Sequence, residues 1–157
     1  MDLPPFQTLL DSYSHDVHRF LIANVGRTDA DDCYQETWIA ALRAYPKLRN
    51  ASNLRGWLLT IASRKAIDIH RARGRQALPM ADPPEACFMP RDNADDLWNA
   101  VAGLPTKQRA AVVLRYVLDA EYETVAATMG TSEAAARRNV YEGLKRLREE
   151  HGHEWTA

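Results

Sequence analysis

The chain has 157 residues, of which 46% are hydrophobic and 26% are charged. That composition excludes a disordered chain and is sufficient for one domain or for two small ones with compact cores. A formal net charge of −1 argues against a protein that coats nucleic acid by bulk charge. The sequence has no long apolar run and no signal-like N-terminus, so we expect a cytoplasmic protein without membrane insertion.

Charge is distributed unevenly along the chain. Residues 64–75 and 137–148 are basic, whereas residues 29–36 and 82–96 are acidic. Alternating surfaces of opposite sign suggest a nucleic acid on one side and a protein partner on another. The two cysteines, Cys33 and Cys87, are far apart and lack metal-type spacing, so unpaired thiols are expected, and a redox role for either stays open.

The first predicted element is an amphipathic helix over residues 5–25 that ends before Gly26, with apolar residues every three or four positions. His15 and His18 lie on this helix. Their spacing is compatible with a metal, but a pair of this kind on a helix is more often solvated, so we expect solvated histidines and no metal site.

A second helix is predicted from Asp29, as its N-cap, to about Tyr45. The acidic run that opens it, residues 29–36, contains no base. One interpretation is favourable electrostatics at a helix N-terminus, and the other is an acidic patch for a basic protein partner. The residues predicted to pack inward are Cys33, Trp38, Ala41 and Leu42.

Pro46 ends the second helix and opens a polar loop, residues 46–53. Its amide and hydroxyl side chains could serve a ligand or merely form turns and a cap, with Asn53 as the N-cap of the next helix. That third helix is predicted to run to about Arg73. Its basic residues Arg64, Arg71 and Arg75 fall on nearly one line, which suits a nucleic-acid backbone, although a charge run of this kind is more often a solvated face.

The following residues contain four prolines and several acids without periodicity, which predicts a flexible acidic linker. Beyond it we predict a helix carrying Leu97, Val101 and Leu104, an interruption at Pro105, and a helix through Tyr116 to about residue 119. No alternating strand pattern is present, so the predicted fold is all-α. The predicted domains are residues 1–75 and 96–150, with a linker at 76–95 and a tail at 151–157.

Residues 121–148 have the pattern of a helix-turn-helix. Gly130 suits a left-handed turn, and Thr131 or Ser132 suits the cap of the second helix. That helix has a predicted buried stripe of Ala136, Val140, Leu144 and Leu147, which leaves Arg138 and Lys145 facing outward. An exposed basic face suits a DNA major groove, although an ordinary solvated surface helix would have the same pattern.

With both halves in view, the chain resembles the sigma-70 family of bacterial transcription initiation factors, specifically the two-domain extracytoplasmic-function (ECF) group. DADDCYQETW resembles the family's core-polymerase-binding segment. NLRGWLLTIASRKAIDIHRARGR resembles its promoter-melting helix, and LPTKQRAAVVLRYVLDAEYETVAATMGTSEAAARRNVYEGLKRLR resembles the module that recognises the promoter's minus 35 element. The three segments occur in the family's order and cover nearly the whole chain.

The resemblance implies a role for named residues, and it implies no catalytic residue, metal or cofactor. The residues implied to face the clamp helices of the polymerase's largest subunit are Asp32, Gln35 and Glu36. Those implied at the melted minus 10 element are Asn50, Ser52, Asn53, Arg64, Lys65, Arg71 and Arg73. Those implied at the minus 35 groove are Arg137 and Arg138, with Ser132, Glu133 and Tyr141 as secondary candidates. The resemblance also implies control by an anti-sigma factor.

The function expected from the sequence is therefore an alternative sigma factor that binds core RNA polymerase and directs initiation at selected promoters. The alternative is a helix-turn-helix regulator that binds an operator, usually as a dimer, without being a polymerase subunit. An enzyme with a small-molecule substrate is disfavoured, because the sequence offers no nucleophile–base pair, phosphate loop or metal ligand set. The recognition helix opens with Glu133 and three alanines, so minus 35 specificity is expected either to depend on Arg137 and Arg138 or to rest partly on DNA shape.

Overall fold

The computed structural model describes residues 3–76 and 93–151. Within these residues the regular structure is entirely helical, which confirms the all-α prediction. The chain forms two compact units, Met1–Leu78 and Pro79–Ala157, and each is considered by itself. Most of the predicted linker at 76–95, and all of the predicted tail except its first residue, lie outside the described residues.

The first unit is a three-helix bundle of α1 (Phe6–Val25), α2 (Arg27–Ala44) and α3 (Leu54–Gln76), in which each helix packs on the other two. A short 3-10 helix, Tyr45–Lys47, follows α2. The core side chains are almost fully inaccessible; they are Leu9, Val17, Phe20, Leu21, Leu58, Leu59 and Ala62.

The start of α2 differs from the prediction. Gly26 has φ +82°, and its N–H donates to the Ile22 carbonyl while its own carbonyl accepts from the Ala30 N–H. This one glycine therefore ends α1 and precedes α2. Its positive φ is a backbone conformation that other residues rarely adopt. Asp29 consequently lies inside the first turn and is not the N-cap. Its carboxylate instead pairs with the Arg73 guanidinium of α3.

The inward face of α2 is also narrower than predicted. Cys33, Trp38 and Ala41 are buried as expected, but Leu42 is 56% exposed. The buried line follows Cys33, Thr37 and Ala41 at four-residue spacing with Trp38 beside it, and this buried face ends before Leu42. The buried hydroxyl of Thr37 donates to the Cys33 carbonyl at 2.7 Å, so a polar residue sits in the core line without an unpaired group.

The second unit contains α4 (Asn93–Ala102), α5 (Thr106–Val112), α6 (Tyr122–Met129) and α7 (Glu133–His151). A π-helical turn, Val113–Val117, continues α5, so the helix predicted to reach residue 119 ends two residues earlier. Leu104 is buried just beyond α4, whereas Leu97 and Tyr116 are exposed. The long helix α7 packs against α4, α5 and α6 and organises the unit.

The turn between α6 and α7 forms as predicted. Gly130 adopts the left-handed conformation with φ +67°, and the Thr131 N–H donates to the Ala126 carbonyl at 2.9 Å. This is a Schellman-type helix end, which needs a residue that tolerates positive φ. Ser132, rather than Thr131, caps α7, because its Oγ accepts from the Ala135 N–H at 3.1 Å.

The predicted stripe of α7 lies against the rest of the unit. Ala136, Val140 and Leu147 are buried, and Leu144 is partly exposed. Gly143 is buried as well, and a Cβ there would lie 2.7 Å from Cγ2 of Val112. The close approach of α5 and α7 therefore depends on a glycine that the sequence pattern did not single out.

Candidate functional site

The outward side of α2 carries a continuous surface of acidic, amide and aliphatic groups. Asp32, Gln35 and Glu36 are exposed as predicted, and Ile39 and Leu42 extend them with 49% and 56% exposure. Steps of three or four residues place these five side chains, here called the α2 face, on one side of the helix. Exposed aliphatic groups beside carboxylates are typical of a protein-binding surface rather than of a nucleic-acid-binding one.

An aromatic cluster holds α2 in place behind this face. The Trp38 ring packs edge-on to Phe6 at 5.7 Å and to Tyr34 at 6.2 Å. Tyr45, just after α2, contacts both Phe6 and Trp57 at 5.3 Å and 6.1 Å between ring centroids. The α2 face is therefore presented on a rigid support, because these rings tie α2 to both neighbouring helices.

The two histidines of α1 differ in environment. His15 is exposed, whereas Nε2 of His18 lies 3.4 Å from the Asp31 carboxylate and its ring packs edge-on to Tyr34 at 5.4 Å. His18 thus links α1 to α2 and is not simply solvated. Among the residues that the structure describes, no group of three or more His, Cys, Asp or Glu side chains could hold a metal ion.

Cys33 lies on the inward side of α2 and is buried. Burial, with smaller contributions from the carboxylates of Glu36 and Asp32, raises the pKa of the Cys33 thiol from 9.0 to about 11. The thiolate is the reactive form of cysteine, so Cys33 is chemically quiet at neutral pH.

In a Cys87→Ser variant, we expect iodoacetamide to label the native protein at pH 8 roughly a hundredfold more slowly than an ordinary thiol. The rate should increase as the pH rises towards 11. The same variant in urea, where Cys33 is exposed, provides the reference rate. Equal rates in the native and urea-unfolded protein would contradict the assignment and reopen a redox role.

The predicted minus 10 loop is held in a defined shape by its own side chains. Oδ1 of Asn50 accepts from the Ser52 N–H at 2.9 Å, and Oδ1 of Asn53 accepts from the Gly56 N–H at 2.9 Å. The second bond confirms Asn53 as the N-cap of α3. A Cβ at position 56 would lie 2.6 Å from Nδ2 of Asn53, so Gly56 provides the space for the cap. All three predicted loop side chains are exposed.

The basic side chains of α3 do not form one uniform surface. Arg64 and Arg71 are exposed on one line of the helix, and Lys65 is partly exposed beside them. Arg73 pairs with Asp29 of α2, so its charge is partly neutralised within the unit. The side chain of Arg75 lies outside the described residues. The structure therefore brings Arg64, Lys65 and Arg71 together and separates Arg73 from them.

The predicted minus 35 residues divide into two groups. Arg138 and Tyr141 lie with Lys145 on one exposed side of α7, here called the α7 face, and Tyr141 is 65% exposed. Ser132 uses its hydroxyl as the helix cap, and Glu133 is exposed in the first turn. Arg137 is exposed as well, and its Cζ lies 4.2 Å from the centroid of the Tyr122 ring of α6.

A shallow cleft of about 290 Å³ surrounds this contact. Its lining residues are Arg115, Glu121, Tyr122, Glu123, Glu133 and Arg137. The sequence patterns indicated no role in a functional site for Tyr122 or for Arg115. Both residues were missed because they approach Arg137 only through the folded arrangement of three elements.

The two units correspond to two family models. Residues 9–76 match Sigma-70 region 2, and residues 94–147 match Sigma-70 region 4. The ECF RNA polymerase sigma factor SigD of Mycobacterium tuberculosis is 31% identical over 165 residues, which cover 95% of this chain and 78% of SigD. The chain belongs to the ECF sigma factor family.

Other relatives of this sigma factor agree with that assignment. SigE of Mycolicibacterium smegmatis, also an ECF sigma factor, is 30% identical over 94% of the chain, which spans only 62% of SigE. The solved structure of the sigma factor RpoE from Bartonella quintana, in complex with the anti-sigma factor NepR, superimposes with a TM-score of 0.77. It is 25% identical, and the match covers 92% of this sigma factor and 94% of RpoE. Among the helices that the structure describes, none is both long and apolar enough to cross a membrane.

Proposed function

We propose that this ECF sigma factor is a dissociable specificity subunit that binds core RNA polymerase and directs initiation at selected promoters. The observation that carries the proposal is that one chain contains both the region 2 and the region 4 matches. Residues 1–75 form the core-binding and minus 10 domain, residues 96–150 form the minus 35 domain, and residues 76–95 link them. The protein contributes specificity, and the polymerase performs the chemistry.

The core polymerase is bound by the α2 face. Asp32, Gln35 and Glu36 supply charge and hydrogen bonding towards the basic clamp helices of the largest subunit, and Ile39 and Leu42 supply apolar contact. Support comes from the exposure of all five side chains on a helix fixed by the aromatic cluster. An exposed aliphatic pair gains stability only when a partner covers it.

The minus 10 element is opened by the polar loop together with α3. Asn50, Ser52 and Asn53 hold a base extruded from the non-template strand, while Arg64, Lys65 and Arg71 contact the backbone at the duplex junction. A preformed loop favours this role, because opening base pairs costs a few kcal/mol that a ready binding site must offset. Arg73 acts mainly by tethering α3 to α2 through Asp29.

The minus 35 element is bound by α7 in the major groove. Arg138 and Tyr141 lie on the α7 face and are the candidates for base contacts, whereas Ser132 and Glu133 act at the helix start. Arg137 contributes a further DNA contact from the side of α7 that faces α6. The related RpoE was solved with an anti-sigma factor, and we extend that kind of control to this chain as well.

Complex formation separates this proposal from an operator-binding regulator. The full chain mixed with core RNA polymerase should co-elute with it in size-exclusion chromatography at a 1:1 ratio in the absence of DNA. A regulator of the helix-turn-helix type would elute by itself, usually as a dimer, and would bind its DNA site without polymerase. The second result would overturn the proposed function.

A further inference from the structure

We propose that Tyr122 is a positioning residue for DNA binding, because its ring holds Arg137 at the edge of the helix-turn-helix for contact with a backbone phosphate. This inference rests on the proposed function and assigns a role within its minus 35 domain. Tyr122 is the first residue of α6 and Arg137 lies in the second turn of α7, so the contact bridges the two helices of the motif.

The contact fixes the guanidinium without using its hydrogen-bond donors. A cation over an aromatic ring is attracted by the π face, whereas the five N–H donors of arginine lie in the plane of the guanidinium. A carboxylate partner would instead occupy those donors and neutralise the charge. Glu121, Glu123 and Glu133 line the same cleft, yet in the part of the chain that the structure describes neither Arg137 nor Arg115 forms an ion pair with them.

Arg115 approaches the same ring but is held differently. Its Cζ lies 4.8 Å from the Tyr122 centroid, and its Nη1 donates to the Ala120 carbonyl at 3.1 Å. Arg115 therefore keeps one anchor when the ring is removed. Among the described residues, the contact that holds the guanidinium of Arg137 is the one with the Tyr122 ring. Loss of the ring should release Arg137 and leave Arg115 largely in place.

The position of Arg137 favours phosphate over base. Its guanidinium lies against the Tyr122 ring at the start of α6, on the side of α7 that faces the first helix of the motif. A restrained guanidinium with unoccupied donors is well suited to bidentate phosphate binding, and such a contact carries no sequence information. Base selectivity is thereby left to the residues of the α7 face.

The test measures how DNA affinity depends on salt. The full chain, assembled with core RNA polymerase, is titrated against a duplex that contains the minus 35 element of a promoter selected by the wild-type holoenzyme. Loss of one phosphate contact lowers the slope of log K against log salt by about 0.9. We expect Arg137→Ala and Tyr122→Leu each to lower the slope by about this amount and to weaken binding roughly three- to tenfold.

Variants at the same positions distinguish positioning from folding. Tyr122→Phe keeps the ring and should retain wild-type slope and affinity. The double variant Tyr122→Leu/Arg137→Ala should bind no more weakly than Arg137→Ala, whereas Tyr122→Leu and Arg115→Ala should be additive. Thermal unfolding of each variant shows whether the fold is kept, and Tyr122→Met replaces Tyr122→Leu if the latter fails to fold.

Two results would overturn the inference. One is a wild-type salt slope in folded Tyr122→Leu or in Arg137→Ala, and the other is full additivity between these two substitutions. Failure of the proposed function gives a different result, because the wild-type holoenzyme would then select no promoter and the titration would have no starting complex.

Discussion

Charge reversal at Glu36 is expected to weaken binding to core RNA polymerase roughly ten- to a hundredfold. Glu36 is exposed midway along the α2 face, about one turn before Ile39 and two turns before Leu42. The Glu36→Lys substitution removes an attraction to the basic clamp helices and introduces a repulsion. Because the side chain is exposed, the free energy of unfolding should change little. Fluorescence anisotropy with labelled protein measures the affinity.

Asp11→Lys is the matched control for this substitution. Asp11 is an exposed acid in the same three-helix unit, and its carboxylate accepts a hydrogen bond from Gln7 on the same helix. This variant has the same net charge as Glu36→Lys but leaves the α2 face intact, so it should bind like the wild type. Equal affinities for all three proteins would mean that the acidic run only stabilises the N-terminus of α2 and does not bind the polymerase.

Replacement of Arg138 by alanine is expected to cost about 1–3 kcal/mol of binding to the preferred minus 35 sequence. The loss should be much smaller on duplexes in which the base contacted by Arg138 is changed, because that contact is already absent there. Binding of the holoenzyme to a set of single-base variants of the element measures both quantities. A uniform loss across the set would identify Arg138 as a phosphate anchor instead.

Lys145→Ala provides the comparison on the same helix. Lys145 lies seven residues beyond Arg138 on the α7 face and is exposed. Major-groove recognition uses the N-terminal part of the second helix, so Lys145 should affect affinity but not the preference among bases. A change of base preference in Lys145→Ala would shift the recognition surface towards the end of α7.

Local sequence rules predicted those parts of the fold that depend on neighbouring residues. Gly130 was predicted for the turn of the helix-turn-helix, Thr131 or Ser132 for the cap of α7, and Asn53 for the cap of α3. These predictions were possible because helix ends are satisfied by groups within a few positions. Asp29 had the right chemistry for a cap as well. The prediction of Asp29 as the N-cap was wrong, because Gly26 can adopt positive φ and α2 begins directly after it. Composition alone does not decide between a helix that begins after Gly26 and one that begins after Asp29.

Surface features were predicted less completely than helix ends. Leu42 was assigned to the core because it is apolar and follows Ala41, but its exposure depends on where α1 and α3 lie around α2. The contact between Tyr122 and Arg137 depends on the crossing of α6 and α7, which no pattern within either helix specifies. The aliphatic part of the α2 face, Ile39 and Leu42, and the cleft could therefore be recognised only in the packed structure.

The central claim is that this chain gives core RNA polymerase its choice of promoter. Run-off transcription from a pool of genomic promoter fragments, with purified core polymerase in the presence and absence of the full chain, tests it most directly. New transcripts are expected from a restricted set of fragments that share minus 35 and minus 10 elements, and these transcripts should be lost with Glu36→Lys. Transcripts identical to those of core polymerase alone, across the whole pool, would contradict it.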